Sequence, residues 1–429
     1  MSLLLRGGRV VDPSQELDAR RDVRIEGDRI TEIGEHLDPQ GAEIFDATGA
    51  VVAPGFIDMH VHLREPGQTQ KETIATGAAA AVAGGFSAIA CMPNTEPALD
   101  SPALIADVRR LAAQANLARV YPIGAITRGR AGKELAPYWK LHDAGAVAFS
   151  DDGTTIENPR VLRQAASYAR DVPGVFISHC EDALLKGDAV MHEGVHSAHL
   201  GLAGSPGLAE EVIVARDLLI AHDTGKPFHI AHLSSGMSAE LIRFARAQGI
   251  AVTCEVTPHH LLLHDDRFGA FGAQAKVNPP LRESDDTAKL RAAVRDGTID
   301  VFATDHAPHT LEEKAQLLAA APVGFSGLEV AIGAYAQAFP DLALSRFVAL
   351  LSTNAARILR IPGGTLRVGS VADVTLFAQR RWHVDPSRFH SLGKNTPFAG
   401  AVFERRAVAT IVGGRLLMRD GELLSAALA

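Results

Sequence analysis

His60 and His62 stand two residues apart in Asp58-Met-His-Val-His-Leu-Arg-Glu-Pro-Gly67, directly after the apolar, β-prone run Val51-Val-Ala-Pro-Gly-Phe-Ile57. Residues i and i+2 of a strand point to the same side. The two imidazoles can therefore converge on one metal ion, which a helix would not allow at this spacing. An H-x-H pair taken alone describes two packed or solvated histidines equally well. The same chemistry recurs, however, after other apolar runs. Asp151 and Asp152 follow 146–150, His179 follows 175–178, His232 follows 228–231, and Asp305, with His306 behind it, follows 301–304. Four histidines and two carboxylates are borderline to hard ligands that suit zinc, with manganese or cobalt as substitutes. Six ligands exceed one tetrahedral ion and suit two ions bridged by a carboxylate and a hydroxide.

These residues need elements that bring them to one place. Apolar, β-rich runs occur at 56–61, 86–91, 119–125, 146–150, 174–178, 227–231, 250–256 and 299–304. Helical stretches such as 102–115, 160–170, 208–222, 238–248 and 288–295 separate them. Eight strands alternating with helices predict an α/β fold with a parallel (β/α)8 TIM-like barrel, whose active site lies at the C-terminal ends of the strands. A doubly wound sheet is the alternative, and the count of eight favours closure. Each candidate ligand alone reads as a capping Asp or a hydrogen-bonded loop His. Five strand ends of eight carrying this chemistry on one face do not read that way.

Both ends of the chain are written in a different style. Short strands and turn pairs occupy 3–11 and 22–30, and again 372–377 and 409–418; 5–10 and 412–416 share a Gly-Gly-Arg pattern. The expectation is one small composite β-sandwich domain from residues 1–53 plus 367–429, beside a barrel domain of 54–366.

Composition narrows the function classes. With 429 residues, 47% of them hydrophobic, the chain can bury a large core. A net charge of -8 and the lack of a basic cluster argue against a nucleic-acid partner. The most apolar window, 74–92, reads as a buried helix, a glycine stop at Gly84-Gly85 and a strand, not a membrane span. No signal peptide is visible at the start. The three scattered cysteines, Cys91, Cys180 and Cys254, read as reduced thiols of a cytoplasmic protein. Two further histidine groups are tempting. His192, His196 and His199 are spaced to share a helix face, but their glycine- and proline-bearing surroundings break that helix. His259 and His260 are adjacent and diverge, which leaves them at most a supporting role.

Four motifs then carry a resemblance. The stretch from Gly55 to Gly67, Met92-Pro-Asn-Thr95, Lys276-Val-Asn-Pro-Pro-Leu-Arg282 and Thr304-Asp-His-Ala-Pro-His309 resemble the bacterial class I dihydroorotases of the amidohydrolase superfamily. The likeness spans nearly the whole chain. It implies that His60 and His62 hold the first metal with Asp305, and that His179 and His232 hold the second. Many relatives bridge the two with a carboxylated lysine on strand four. Here strand four ends Phe149-Ser-Asp-Asp-Gly153, which resembles the subgroup bridged by an aspartate. Asp152 matches the bridging position, and Asp151 is the second choice. The implied cofactor is two Zn2+ per chain.

The implied substrate is L-dihydroorotate, formed reversibly from N-carbamoyl-L-aspartate in de novo pyrimidine (UMP) synthesis, with a bridging hydroxide as nucleophile and Asp305 as proton shuttle. Arg64, at the mouth of strand one, can grip the substrate carboxylate with its forked guanidinium; the bland alternative is a surface salt bridge with Glu65. Asn94 and His309 complete that pocket by resemblance, and Asn278 binds the amide edge of the ring. The backbone at Val323 and Gly324 is expected to meet the ring, although Val323 stands where the family usually has an aromatic. Other readings are an allantoinase, a hydantoinase or dihydropyrimidinase, or a silent dihydroorotase-like partner of aspartate transcarbamoylase. Arg64 and Asn94 argue against the first group, and the complete ligand set against silence. A homodimer and association with aspartate transcarbamoylase are implied by resemblance only.

Overall fold

The computed structural model describes residues 2–424; Met1 and 425–429, the extremes of the expected composite domain, lie outside the described residues. Eight parallel strands follow one another around a closed barrel. They are Phe56–Val61, Phe86–Cys91, the interrupted third strand Arg119–Pro122 with Gly124–Ala125, Phe149–Ser150, Phe176–Ser178, Phe228–Ile230, Val252–Val256 and Val301–Phe302. Each pairs in parallel with the next, and the eighth meets the first through a Val61–His306 bridge and the 2.8 Å bond from His62 N–H to the His306 carbonyl. The regular pairing of strands four, five, six and eight is shorter than the apolar runs, and in strands four and five the unpaired residues are the first ones of the run.

Alternation along the strands sorts the core into two shells. Phe149, Phe176, Phe228 and Phe302 pack outward with the surrounding helices. Their neighbours Ala148, Ile177 and Val301 join Ile57, Met59, Ala88 and Ala90 in a second cluster that fills the barrel. Each buried large apolar side chain contributes about 1.5–3 kcal/mol.

The helix after strand one shows how local chemistry sets the spacing. It spans Ile74–Gly84, is opened by a capping box between Thr73 and Thr76, and ends where Gly85 adopts φ +95°. Strand two begins at the next residue. Its Ala- and Gly-rich surface lets it lie close against the barrel.

The two chain ends meet in one sheet. Ala50–Pro54 pairs with Ser2–Asp12 on one side and, antiparallel, with Val374–His383 on the other. Nine strands among the described residues join this way, curled over a shared core that includes Leu3, Val10, Ile25, Val52, Val374, Leu376 and Ile411. The 22–30 run is a hairpin, Leu17–Glu26 turning at Gly27-Asp28 into Arg29–Gly34. Gly55 passes from this sheet into strand one at a point where a Cβ would lie 2.1 Å from Ser87 Oγ.

Candidate metal centre

The end of strand one carries Asp58, His60 and His62 at alternate positions, across an irregularity in its pairing with strand two. Asp58 accepts the N–H groups of His60 and Thr304, tying strand one to strand eight, and burial pushes its carboxyl up to about 7. His60 and His62 turn their Nε2 atoms toward two carboxylates. His62 Nε2 is 3.0 Å from Asp305 Oδ1 and 3.5 Å from Asp152 Oδ2. His60 Nε2 is 3.6 Å from Asp305 Oδ1 and 3.5 Å from Asp152 Oδ1. From strands five and six, His179 Nδ1 and His232 Nε2 lie 2.9 Å apart and each 3.6 Å from Asp152 Oδ1. All six residues are buried.

Asp152 thus shows one oxygen to His62 and the other to His179 and His232. Its neighbour Asp151 is consumed elsewhere: it accepts the N–H groups of Ile126 and Thr127 and the Thr127 hydroxyl. That leaves Asp152 as the acid shared by both histidine pairs. Burial opposes its charge, but the nearby His60, His179 and His232 hold it well below the ordinary carboxylate range. Asp305 is likewise held low by His62 and His60 against the cost of burial. His179 is raised to about 9 despite burial, by Asp152 and Glu181. Imidazoles and carboxylates gathered this closely are a set that a cation can take over.

Two observations test the fit to a metal. Among the described residues His60 Nε2 and Asp152 Oδ1 are buried without a hydrogen-bond partner, a cost of about 1–3 kcal/mol each unless something binds there. Two triads, His60–Asp152–His232 and His60–His62–Asp305, each hold their ligand atoms within 4.8 Å of one another. The donors and their spacing fit divalent metal.

The residues expected to hold substrate gather around this centre. Arg64 is 8% exposed, and its guanidinium donates to the Pro308 carbonyl at 3.3 Å and lies 3.2 Å from His309 Nε2. Among the described residues no carboxylate pairs with it; Glu65 accepts the Ile74 N–H instead. Burial lowers the Arg64 pKa to about 10, still charged at neutral pH. Asn94 Oδ1 accepts from His62 Nδ1 at 2.8 Å, which makes it a support for a ligand as well as a candidate contact. The Asn278 amide donates to Glu181 at 2.5 Å and lies 3.5 Å from His179 Nε2. His309 Nε2 is 2.8 Å from the Val323 carbonyl. The Gly324 N–H donates to the Lys276 carbonyl, so it is not free for a ring; Val323, 39% exposed, faces outward.

Three of the ten non-glycine residues with positive φ among the described residues lie here. Arg64, His232 and Asp305 have φ of +60°, +31° and +50°, a region that side chains other than Gly avoid. Such positions persist where the surroundings over-determine them and mark functional sites.

The sequence did not reveal the supports. Glu255, in the middle of strand seven, bonds His60 Nδ1 at 2.5 Å and His229 Nε2 at 3.1 Å. A wholly buried acid in an apolar strand was the available signal. Glu72 accepts from His306 Nε2 and the Ser391 hydroxyl, so His306 is structural. Neither of the other histidine groups joins the two metal-capable triads. His196 and His199 sit exposed on a single turn of helix, Val195–Leu200, which does form despite its glycine-bearing surroundings. His260 bonds Thr257 and the Pro279 carbonyl, and His259 bonds nothing among the described residues.

Comparison with known proteins gives the family and the fold. The model of the dihydro-orotase-like family matches residues 49–238, and that of the amidohydrolase family matches 215–418. A dihydroorotase of Pelotomaculum thermopropionicum is 49% identical over 98% of this chain and 99% of its own. One from Syntrophus aciditrophicus is 44% identical over 98% and 100%. Among solved structures, the L-hydantoinase of Arthrobacter aurescens superposes with a TM-score of 0.89 at 25% identity, covering 98% of this chain and 97% of that one.

Proposed function

The chain belongs to the dihydroorotase family of the amidohydrolase superfamily, and from that membership and its site we propose that it interconverts L-dihydroorotate and N-carbamoyl-L-aspartate in de novo pyrimidine synthesis. The observation that carries the substrate assignment is Arg64. The metal ligands belong to cyclic-amide hydrolases generally, whereas a buried guanidinium without an acid partner beside them calls for a substrate carboxylate. Hydantoin and allantoin have none.

We assign the first ion to His60, His62 and Asp305, the second to His179 and His232, and the bridge to Asp152. Zinc is the proposed metal, two ions per chain. When bound, the ions supply an acidified water and a Lewis acid for the ring carbonyl. Asp305 accepts the proton of the attacking water and hands it to the ring nitrogen as the amide bond breaks. Ring closure reverses these transfers and releases water. Arg64, with Asn94 and His309 beside it, holds the carboxylate; Asn278 holds the amide edge of the ring; the Val323–Gly324 segment borders it.

The barrel, 54–366, is the proposed catalytic unit, with 1–53 and 367–429 as its β domain. Three buried, unpaired cysteines support a reducing, cytoplasmic setting, and no helix of the described residues is long and apolar enough to cross a membrane. Assembly as a homodimer, and docking to aspartate transcarbamoylase, rest on the resemblance and are read out by light scattering of the chain with and without that enzyme. The test of function is side-by-side turnover of dihydroorotate, hydantoin and allantoin by the purified, zinc-loaded protein. Dihydroorotate should exceed the others by orders of magnitude; a preference for either of the others would overturn the reading.

A further inference from the structure

Lys276 and Lys314 are 6% and 4% exposed, and neither pairs with a carboxylate among the described residues. A buried ammonium without a counter-ion is costly unless its protons are all well used. Here both are spent on one short segment. Lys276 Nζ donates to the carbonyls of Leu318, Ala319 and Ala321 at 2.8, 3.1 and 2.7 Å. Lys314 Nζ donates to those of Pro322 and Gly324 at 2.9 and 2.8 Å. The Lys276 carbonyl also takes the Gly324 N–H at 2.9 Å, and Asn395 donates to the Gly324 carbonyl at 3.0 Å. Gly324 itself has φ +109°, and a Cβ there would lie 2.5 Å from Ala307 Cβ, so the segment has little freedom to take another path.

This segment borders the proposed substrate mouth on two sides. Lys276 is two residues before Asn278, and the Val323 carbonyl lies against His309, which in turn touches Arg64. We propose that Lys276 and Lys314 are positioning residues, whose two ammoniums fix segment 318–324 so that Asn278, His309 and Arg64 stand ready before substrate arrives. Pre-set geometry of this kind spares the ordering cost on binding. Uncharged side chains of similar length would strip a donor from five carbonyls, of which that of Gly324 keeps Asn395, and loosen the mouth while the proposed metal ligands stay in place.

The inference rests on the dihydroorotase reading for its kinetic arm and stands apart from it in its structural arm. In the zinc-loaded full chain, Lys314→Met and Lys276→Met should each raise KM for dihydroorotate at least tenfold, with kcat within threefold and metal content unchanged. Hydrogen exchange in peptides covering 311–326 should quicken in both variants, and in the wild type those peptides should be protected. Lys314→Cys alkylated with 2-bromoethylamine, which rebuilds an ammonium at nearly the same reach, should restore both KM and protection. Unchanged KM, unchanged exchange, or no rescue by the alkylated side chain would overturn the proposal. If a methionine variant fails to fold, Lys314→Arg and the wild-type exchange pattern decide: rapid exchange of 318–324 in the wild type refutes the clamp. Absence of any dihydroorotate turnover by wild type would refute the substrate reading instead and leave the exchange arm to judge the clamp.

Discussion

His60 Nδ1 lies 2.5 Å from Glu255 Oε1, and this contact determines which face of the ring meets the metal pocket. With Nδ1 committed to Glu255, Nε2 is the atom left for Asp152, Asp305 and a cation. Glu255 is itself fixed by His229, so strands one, six and seven agree on the orientation of one imidazole. Supports of this kind typically contribute about 10- to 100-fold to metal affinity or activity. Glu255→Gln keeps the shape and removes the charge. It should weaken metal retention by about that factor against a competing chelator, with the fold intact by circular dichroism; unchanged retention would show that the contact is dispensable.

Arg64 should set substrate choice. Truncating one partner of a buried charge pair costs about 2–5 kcal/mol. Arg64→Ala should lower kcat/KM on dihydroorotate by roughly one and a half to three and a half orders of magnitude, with metal content unchanged. Wild-type efficiency in that variant would remove the argument that separates this enzyme from its hydantoin-cleaving neighbours.

Asp305 should act as proton carrier as well as ligand. Asp305→Asn keeps a ligating oxygen and loses basicity. The expected loss is about 10²- to 10³-fold in rate, with substantial metal retained. It should appear in hydrolysis and in ring closure alike, because both share one transition state. A metal-replete variant with wild-type turnover in either direction would contradict the assignment.

The strand ends made the candidate ligands legible in the sequence. Period-two spacing placed His60 and His62 on one side, and apolar runs ending in His or Asp located the others. Asp152 is set above Asp151 in the sequence only by resemblance; in the structure Asp151 accepts from Ile126 and Thr127, bonds that leave no spacing pattern. Glu255 and Lys314 were not legible, because their partners come from distant strands and from backbone carbonyls, which leave no spacing pattern. The nine-stranded sheet was visible as two matching ends, but the pairing of Ala50–Pro54 with Val374–His383 joins segments more than 300 residues apart, and local pattern carries no register over such a distance.

Stability should carry a signature of Lys226. This side chain is 1% exposed, and its ammonium donates to the carbonyls of Ala169 and Val172. Burial, reinforced by Arg360, lowers its pKa from 10.5 to about 8. Between those values the unfolded chain holds the proton and the folded chain does not, so this group makes stability rise with pH from about 8 toward 10.5 and contributes no slope below. Urea unfolding of wild type and Lys226→Met at pH 7.5, 8.5 and 9.5 should show the difference moving in favour of wild type as pH rises. A difference that is flat across the window would contradict it.

The measurement that bears most directly on the account is a zinc titration of the metal-stripped protein, followed by dihydroorotate turnover and elemental analysis, for wild type and for Asp152→Ala. Wild type should reach full activity at two zinc ions per chain. Asp152→Ala should retain at most one and lose most of its activity, because the acid shared by both histidine pairs is gone. Full wild-type activity at one ion per chain, or an active Asp152→Ala protein with two, would contradict a carboxylate-bridged pair of metals as the centre of this enzyme.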